Sequence, residues 1–215
     1  LAVYGSGTCI NLDDLGAVQD KRILAALLFA LHSGRGKARK RGNGAGLTAT
    51  AEFRPFVLFS NENGMEAEVE AADMAYRGGM AVRFPDVDVT NGMARAPEER
   101  TKIEASRKMY GHAGPAFIQY LFDQKIVDDP EKLEKEVLAI VKELSEGKHH
   151  GMERAARPFA LAQRAGELAV EAGLLDDVAA VRRGVQLCWE TFLKSDEAAT
   201  ANGNESLMDG FVSWV

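Results

Sequence analysis

Aromatic residues make up only 7% of the sequence, so the core must be built mostly from Ala, Leu, Val and Met. There are two cysteines, Cys9 and Cys188, far apart and outside any CxxC pair. That excludes a zinc ribbon and fits a reduced, cytoplasmic setting. No apolar run approaches the roughly 20 residues of a membrane span. The opening "LAVYGSG" lacks the basic n-region and long apolar core of a signal peptide. No GxSxG elbow occurs and neither cysteine has a nearby His, so nothing supports nucleophilic catalysis. His112, His149 and His150 have no matching ligand spacing. A GxxxxGK[ST] loop is also missing. "GRGKAR" holds a Gly-Lys pair, but Lys37 is followed by Ala38 and the upstream glycine is absent, so the phosphate-cradling half of a P-loop site is not in these residues. The chain starts without Met and stops on the apolar "LMDGFVSWV", and it is expected to be a piece of a longer polypeptide.

What is present reads as a globular chain: 215 residues, 46% hydrophobic and 27% charged, enough for one domain or a domain plus part of another. A net charge of −6 argues against a wrapper of nucleic acid, yet Arg35, Lys37, Arg39, Lys40 and Arg41 put five cations into seven residues. The first part reads as alternating strands and helices. "TCINLD" and "PFVLFSN" read as short buried strands with polar ends, and "MAVRFPDVDV" (80–89) as a third strand. Between the first two lies a helical pattern over 17–31, then a glycine-rich stretch, "HSGRGKARKRGNGAGLTAT", which reads as the tip of a basic hairpin. Beyond Met93 helices dominate. "DPEKLEKEVLAIVKELSEG" is expected to start with Asp129 as cap and Pro130 in the first turn and to end at Gly147, and the next long helix to end at Gly173. The expected organisation is α/β over 1–92, all-α over 93–195, and a linker and start of a further segment over 196–215.

Asp13 and Asp14 sit where ligands bind in open α/β sheets, at the C-terminal end of a strand. One such carboxylate can hold Mg²⁺ and a second can position a water; an Asp cap on the following helix fits equally. Ser60 or Asn61 at the tip of the next strand can bond a phosphate or orient water, while Asn63-Gly64 offers turn chemistry instead. Cations on the ribbon can track a phosphodiester backbone, or simply keep a loop solvated. Arg77 and Arg83 could reach a phosphate in a neighbouring subunit, and Arg157 could do so from a helix start. The alternatives are an edge-strand Arg and an exposed Arg on an amphipathic helix. Asp86 and Asp88 alternate on the expected third strand and share a face, as a metal pair or as its solvent side.

The order of these signals carries more than any one of them. Through "INLDDLG", "GRGKAR", "FVLFSNEN", "GGMAVRFPDVDV", "YGHAGPAFIQYL" and "RPFALAQRAGELA", most of residues 8 to 190 resembles a helicase-like ATPase domain family, catalogued as domain of unknown function 927. Its members are Cch-like proteins of phages, plasmids and chromosomal cassettes, related to the MCM-like branch of AAA+ helicases.

The resemblance implies the C-terminal part of a P-loop AAA+-type core, a parallel sheet with a basic hairpin, followed by a helical lid. It implies ATP and Mg²⁺ as cofactors, DNA as partner, and a homo-oligomeric ring, a hexamer, with hydrolysis at subunit interfaces and no membrane partner. Asp13 would be the Walker B metal carboxylate. Asp14 would stand in for the usual catalytic Glu, one methylene shorter. Asn61, with Ser60 as alternative, would be the sensor. Arg83, with Arg77 as alternative, would be the arginine finger, and Arg157 the lid arginine. Arg35, Lys37, Arg39, Lys40 and Arg41 would face DNA. Without a Walker A loop, residues 1–215 alone are expected to be inactive. Two other functions fit the residues: a Mg²⁺-dependent nuclease or phosphoryl-transfer enzyme using Asp13, Asp14, Asp86 and Asp88, and a non-catalytic DNA-binding assembly module.

Overall fold

The computed structural model describes residues 6–15, 27, 30, 31, 33–36, 50–71, 73, 78–90, 97–149, 151–196, 198 and 199. The chain divides into two compact units, Leu1–Tyr76 and Arg77–Val215. The change of character that the sequence places near residue 92 therefore lies inside the second unit.

The first unit holds β1 (Cys9–Leu12) and β2 (Phe56–Phe59), paired in parallel with Cys9 opposite Phe56 and Leu12 opposite Phe59. A parallel pair cannot be joined by a tight turn and needs a crossover. Here it contains helical positions 27, 30, 31 and 33, then an antiparallel bridge between Arg35 and Glu52. Gly36 N–H donates to the Ala51 carbonyl at 2.8 Å and Phe53 N–H to the Gly34 carbonyl at 2.9 Å, so the glycine-rich stretch starts and ends on an antiparallel ladder. Gly34 has φ +66, and a Cβ there would lie 2.8 Å from the Phe53 carbonyl oxygen, so only glycine fits this crossing.

The expectation of buried strands is corrected. β1 alternates exposed and half-buried residues, and Leu58 on β2 is 53% exposed. Among the described residues the sheet has two strands, too few to cover both of its faces. The unit's buried residues include Leu15, Phe53, and Met65 and Val69 on α1 (Met65–Glu70).

In the second unit the expected strand over 80–89 is absent. Its start is α2 (Gly78–Ala81), and Arg83 and Phe84 N–H groups both return to the Met80 carbonyl, at 2.9 and 3.0 Å. Met80, Ala81 and Val82 are all buried, three consecutive residues that a two-faced strand would have split between faces. Pro85 then removes a ladder donor. After it come α3 (Pro97–Ser106), α4 (Ala113–Asp123), a 3₁₀ turn (Ile126–Asp128), α5 (Pro130–Ser145), α6 (Met152–Glu171) and α7 (Val178–Leu193). Asp129 caps α5 by accepting from Lys132 N–H at 3.0 Å, with Pro130 in the first turn, as the sequence predicts. Asp177 caps α7 through Ala179 N–H at 2.7 Å. Gly147 (φ 67) and Gly173 (φ 70) take the left-handed conformation just past the ends of α5 and α6.

The core of the helical unit joins α5, α6 and α7. Val137, Val141 and Leu144 meet Met152, Ala155, Ala156, Phe159 and Ala160, closed by Trp189 and Phe192. At Gly166, on α6, a Cβ would fall 2.6 Å from Val181 Cγ1 on α7. A β-branched side chain on a helix cannot swing away freely. Gly166→Ala is therefore expected to overpack this contact by about 1–3 kcal/mol, offset in part by roughly 1 kcal/mol of better helix propensity. A lower urea midpoint, restored by adding Val181→Ala, is the expected readout. A higher midpoint in the single variant would show that the helices give way. Among the described residues, no helix is long and apolar enough to cross a membrane.

Candidate functional site

The two parallel strands end side by side, and their tips bring together two residues singled out in the sequence. Leu12 and Phe59 are paired, and beyond them Ser60 N–H donates to the Leu12 carbonyl at 3.1 Å and Leu15 N–H to the Ser60 carbonyl at 3.2 Å. These bonds hold the Ser60 side chain over Asp13, and its hydroxyl donates to Asp13 Oδ1. A carboxylate has two oxygens, so Oδ2 remains for a further donor or a cation. Asp13 and Ser60 are both exposed, so an approaching ligand can reach them.

Asn61 turns elsewhere. Its amide donates to the Asn63 carbonyl at 3.0 Å, within the turn that precedes α1. Of the two candidates on the second strand tip, Ser60 has its hydroxyl bonded to the Asp13 carboxylate.

Asp14 has φ 53, in the left-handed region, and is exposed. Non-glycine residues rarely occupy it, and Asp and Asn are the ones that do so most readily. The backbone therefore supplies a reason for Asp rather than Glu at this position: the longer side chain gains reach but loses that tolerance. The expected helix start that Asp14 would cap falls outside the described residues.

Arg35 is exposed and pairs with Glu52 at 3.4 Å across the bridge that joins these two residues. Lys37, Arg39, Lys40 and Arg41 lie outside the described residues, as does Arg77. Arg83 belongs to the second unit, where it follows α2 instead of sitting on a strand, and its Nη1 donates to the Gly79 carbonyl at 2.6 Å. Arg157 is inside α6, in its second turn, not at a helix start; it pairs with Glu134 at 3.1 Å, both largely exposed. Asp86 and Asp88 share no strand face. Asp88 accepts from Thr90 N–H at 2.8 Å, and bonding to the Thr90 hydroxyl and amide holds its carboxyl below the usual range. Among the described residues, no group of three or more His, Cys, Asp or Glu side chains is arranged to hold a metal ion.

One polar cluster was not singled out in the sequence. Arg164, on α6, is mostly buried and bonds Glu136 at 2.8 Å and Glu171 at 2.9 Å, while Tyr120 O–H donates to Glu171 at 3.1 Å. Burial pushes the Arg164 guanidinium down, but its bonds to Glu171 and Glu136 outweigh this and the net shift is upward. Those from Arg164 and then Tyr120 hold Glu171 below the ordinary carboxylate range despite burial. The spacing of Arg164, Glu167 and Glu171 along one helix face was the available signal.

The sign for stability follows. Glu171 and the cap Asp177, which Ala179 N–H holds low, both have depressed folded values. Their contribution is complete above the unfolded carboxylate range near pH 4 and is lost as pH falls through the folded values. Thermal melts should show little change from pH 7 to about 5 and a fall below about 4. Glu171→Gln should flatten that fall, and an unaltered profile would remove Glu171 from the account.

No family model, curated protein or solved structure matches the chain.

Proposed function

We propose that the chain carries the Walker B strand and the sensor strand of a Mg²⁺-ATP-dependent, helicase-like AAA+ ATPase that assembles as a ring and acts on DNA. The observation that supports this most directly is the meeting of Asp13 and Ser60 at the C-terminal tips of adjacent parallel strands. Such tips are where open α/β sheets bind ligands, and Mg²⁺ in nucleotide sites needs only one or two carboxylates, with water and phosphate completing its shell. Asp13 would hold the ion through Oδ2 while the Ser60 hydroxyl orients the carboxylate. Asp14 would position water. The bound Mg²⁺-nucleotide supplies the phosphoryl group to be transferred and neutralises its charge. The antiparallel bridge between Arg35 and Glu52 brackets the stretch of sequence that holds Lys37, Arg39, Lys40 and Arg41, and these cations would contact a phosphodiester backbone.

The reading requires a phosphate loop from another segment, since none is in this sequence. Residues 1–215 alone are expected to show no ATP turnover. The polypeptide with the upstream part of its encoding reading frame is expected to hydrolyse ATP only with Mg²⁺, faster when DNA is added. A reading frame without a GxxxxGK[ST] loop, or one whose product shows no turnover, removes the proposal.

A further inference from the structure

The outer face of α7 carries a pattern that is complementary to itself. Arg183, Leu187 and Glu190 recur at i, i+4 and i+7, which places them in one line along the helix. Trp189 and Phe192 point into the core from the opposite side, so this line is the middle of the solvent face. Leu187 at its centre is 62% exposed. It borders a groove of about 500 Å³, whose lining includes Ile140 and Glu143 from α5. Arg183 stands at one end and Glu190 at the other. Among the described residues each has a light internal tie: Arg183 to Asp177 at 3.3 Å, and Glu190 to the Gln186 amide at 2.8 Å.

Gly184 lies beside this line, in the interior of an exposed helix, where glycine costs roughly 1 kcal/mol against alanine. A Cβ there would meet nothing within 4 Å, so no packing among the described residues calls for it. A second backbone approaching this face would.

We infer that α7 pairs with α7 of a second copy of this chain, antiparallel, about a two-fold axis near Leu187. In that arrangement Arg183 faces Glu190 of the second copy, Glu190 faces its Arg183, and the two Leu187 side chains pack together over the grooves. An isologous contact of this kind satisfies both ends at once because the charges are opposite in sign and evenly placed about the centre. A parallel pairing would set like charges against each other. The inference is independent of the ATPase reading, since an isologous contact closes a dimer and does not by itself build a ring.

Sedimentation equilibrium of the 215-residue chain over a concentration series, at low and at moderate salt, tests it. The expected result is a monomer–dimer equilibrium that weakens with salt. Leu187→Glu, at an exposed position where folding should persist by circular dichroism, should weaken it about 100-fold. Arg183→Glu should weaken it about 10-fold, because two ion pairs become two repulsions. Adding Glu190→Arg to that variant re-creates the pattern with reversed signs and should restore the wild-type constant. A chain that stays monomeric throughout, an oligomer indifferent to Leu187→Glu, or a charge swap that fails to restore association overturns the inference.

Discussion

Trp189→Ala is expected to destabilise the helical unit by about 3–5 kcal/mol, the range for removing a buried aromatic side chain. Trp189 is 1% exposed and sits between Phe159, whose ring centroid is 5.3 Å away in an edge-on arrangement, and Phe192 at 5.6 Å. Its indole N–H donates to the Leu144 carbonyl at 2.9 Å. That carbonyl belongs to the last turn of α5, where carbonyls have no partner within their own helix. The side chain therefore fills the centre of the core and also terminates α5 from α7. Trp189→Phe separates the two roles: it keeps an aromatic ring and loses the donor, for an expected cost of about 1–3 kcal/mol plus a small cavity term. Domains of this size have only about 5–15 kcal/mol in hand, so the Ala variant should lose a large share of its stability. Urea unfolding followed by far-UV circular dichroism is the measurement, since the substitution removes one of the two tryptophans. A loss below about 1.5 kcal/mol for the Ala variant would mean that this core is not the one that holds the helices together.

On the proposed ATPase reading, Asp13→Asn is expected to lower ATP turnover of a polypeptide that also carries the phosphate loop by about 10²–10³-fold, the scale of losing one preorganised electrostatic group. The amide keeps the size of the side chain and its bond from Ser60, and loses the charge that would hold the metal ion. Ser60→Ala should cost less, about 10-fold, because it frees the carboxylate to rotate without removing it. Asn61→Ala should cost less again, since that amide is occupied with the Asn63 carbonyl. Steady-state rates over a range of Mg²⁺ concentrations separate these cases. Asp13→Asn should also raise the Mg²⁺ required for half-maximal rate, which a merely structural role would leave unchanged. If Asn61→Ala proves more damaging than Ser60→Ala, the sensor role belongs to Asn61 and the Ser60 contact only shapes the turn. Full activity in Asp13→Asn would dismiss the Walker B reading altogether.

The helical part of this chain was written locally. Asp129 before Pro130, Gly147 and Gly173 at the helix ends, and the apolar periodicity of 130–171 act within one or two turns, and the caps stand where the pattern places them. Two matters lay beyond local reading. "MAVRFPDVDV" has the composition of a strand, but a strand needs a neighbour to take its backbone bonds. Met80, Ala81 and Val82 instead close a helical turn and are buried together. The second is the choice between Ser60 and Asn61. Successive residues at a strand end point in opposite directions, so a shift of one residue exchanges their roles. No local preference sets that register. It comes from the pairing of β1 with β2, two segments far apart in the chain, whose ladder runs one bond past Phe59 and leaves Ser60 over Asp13.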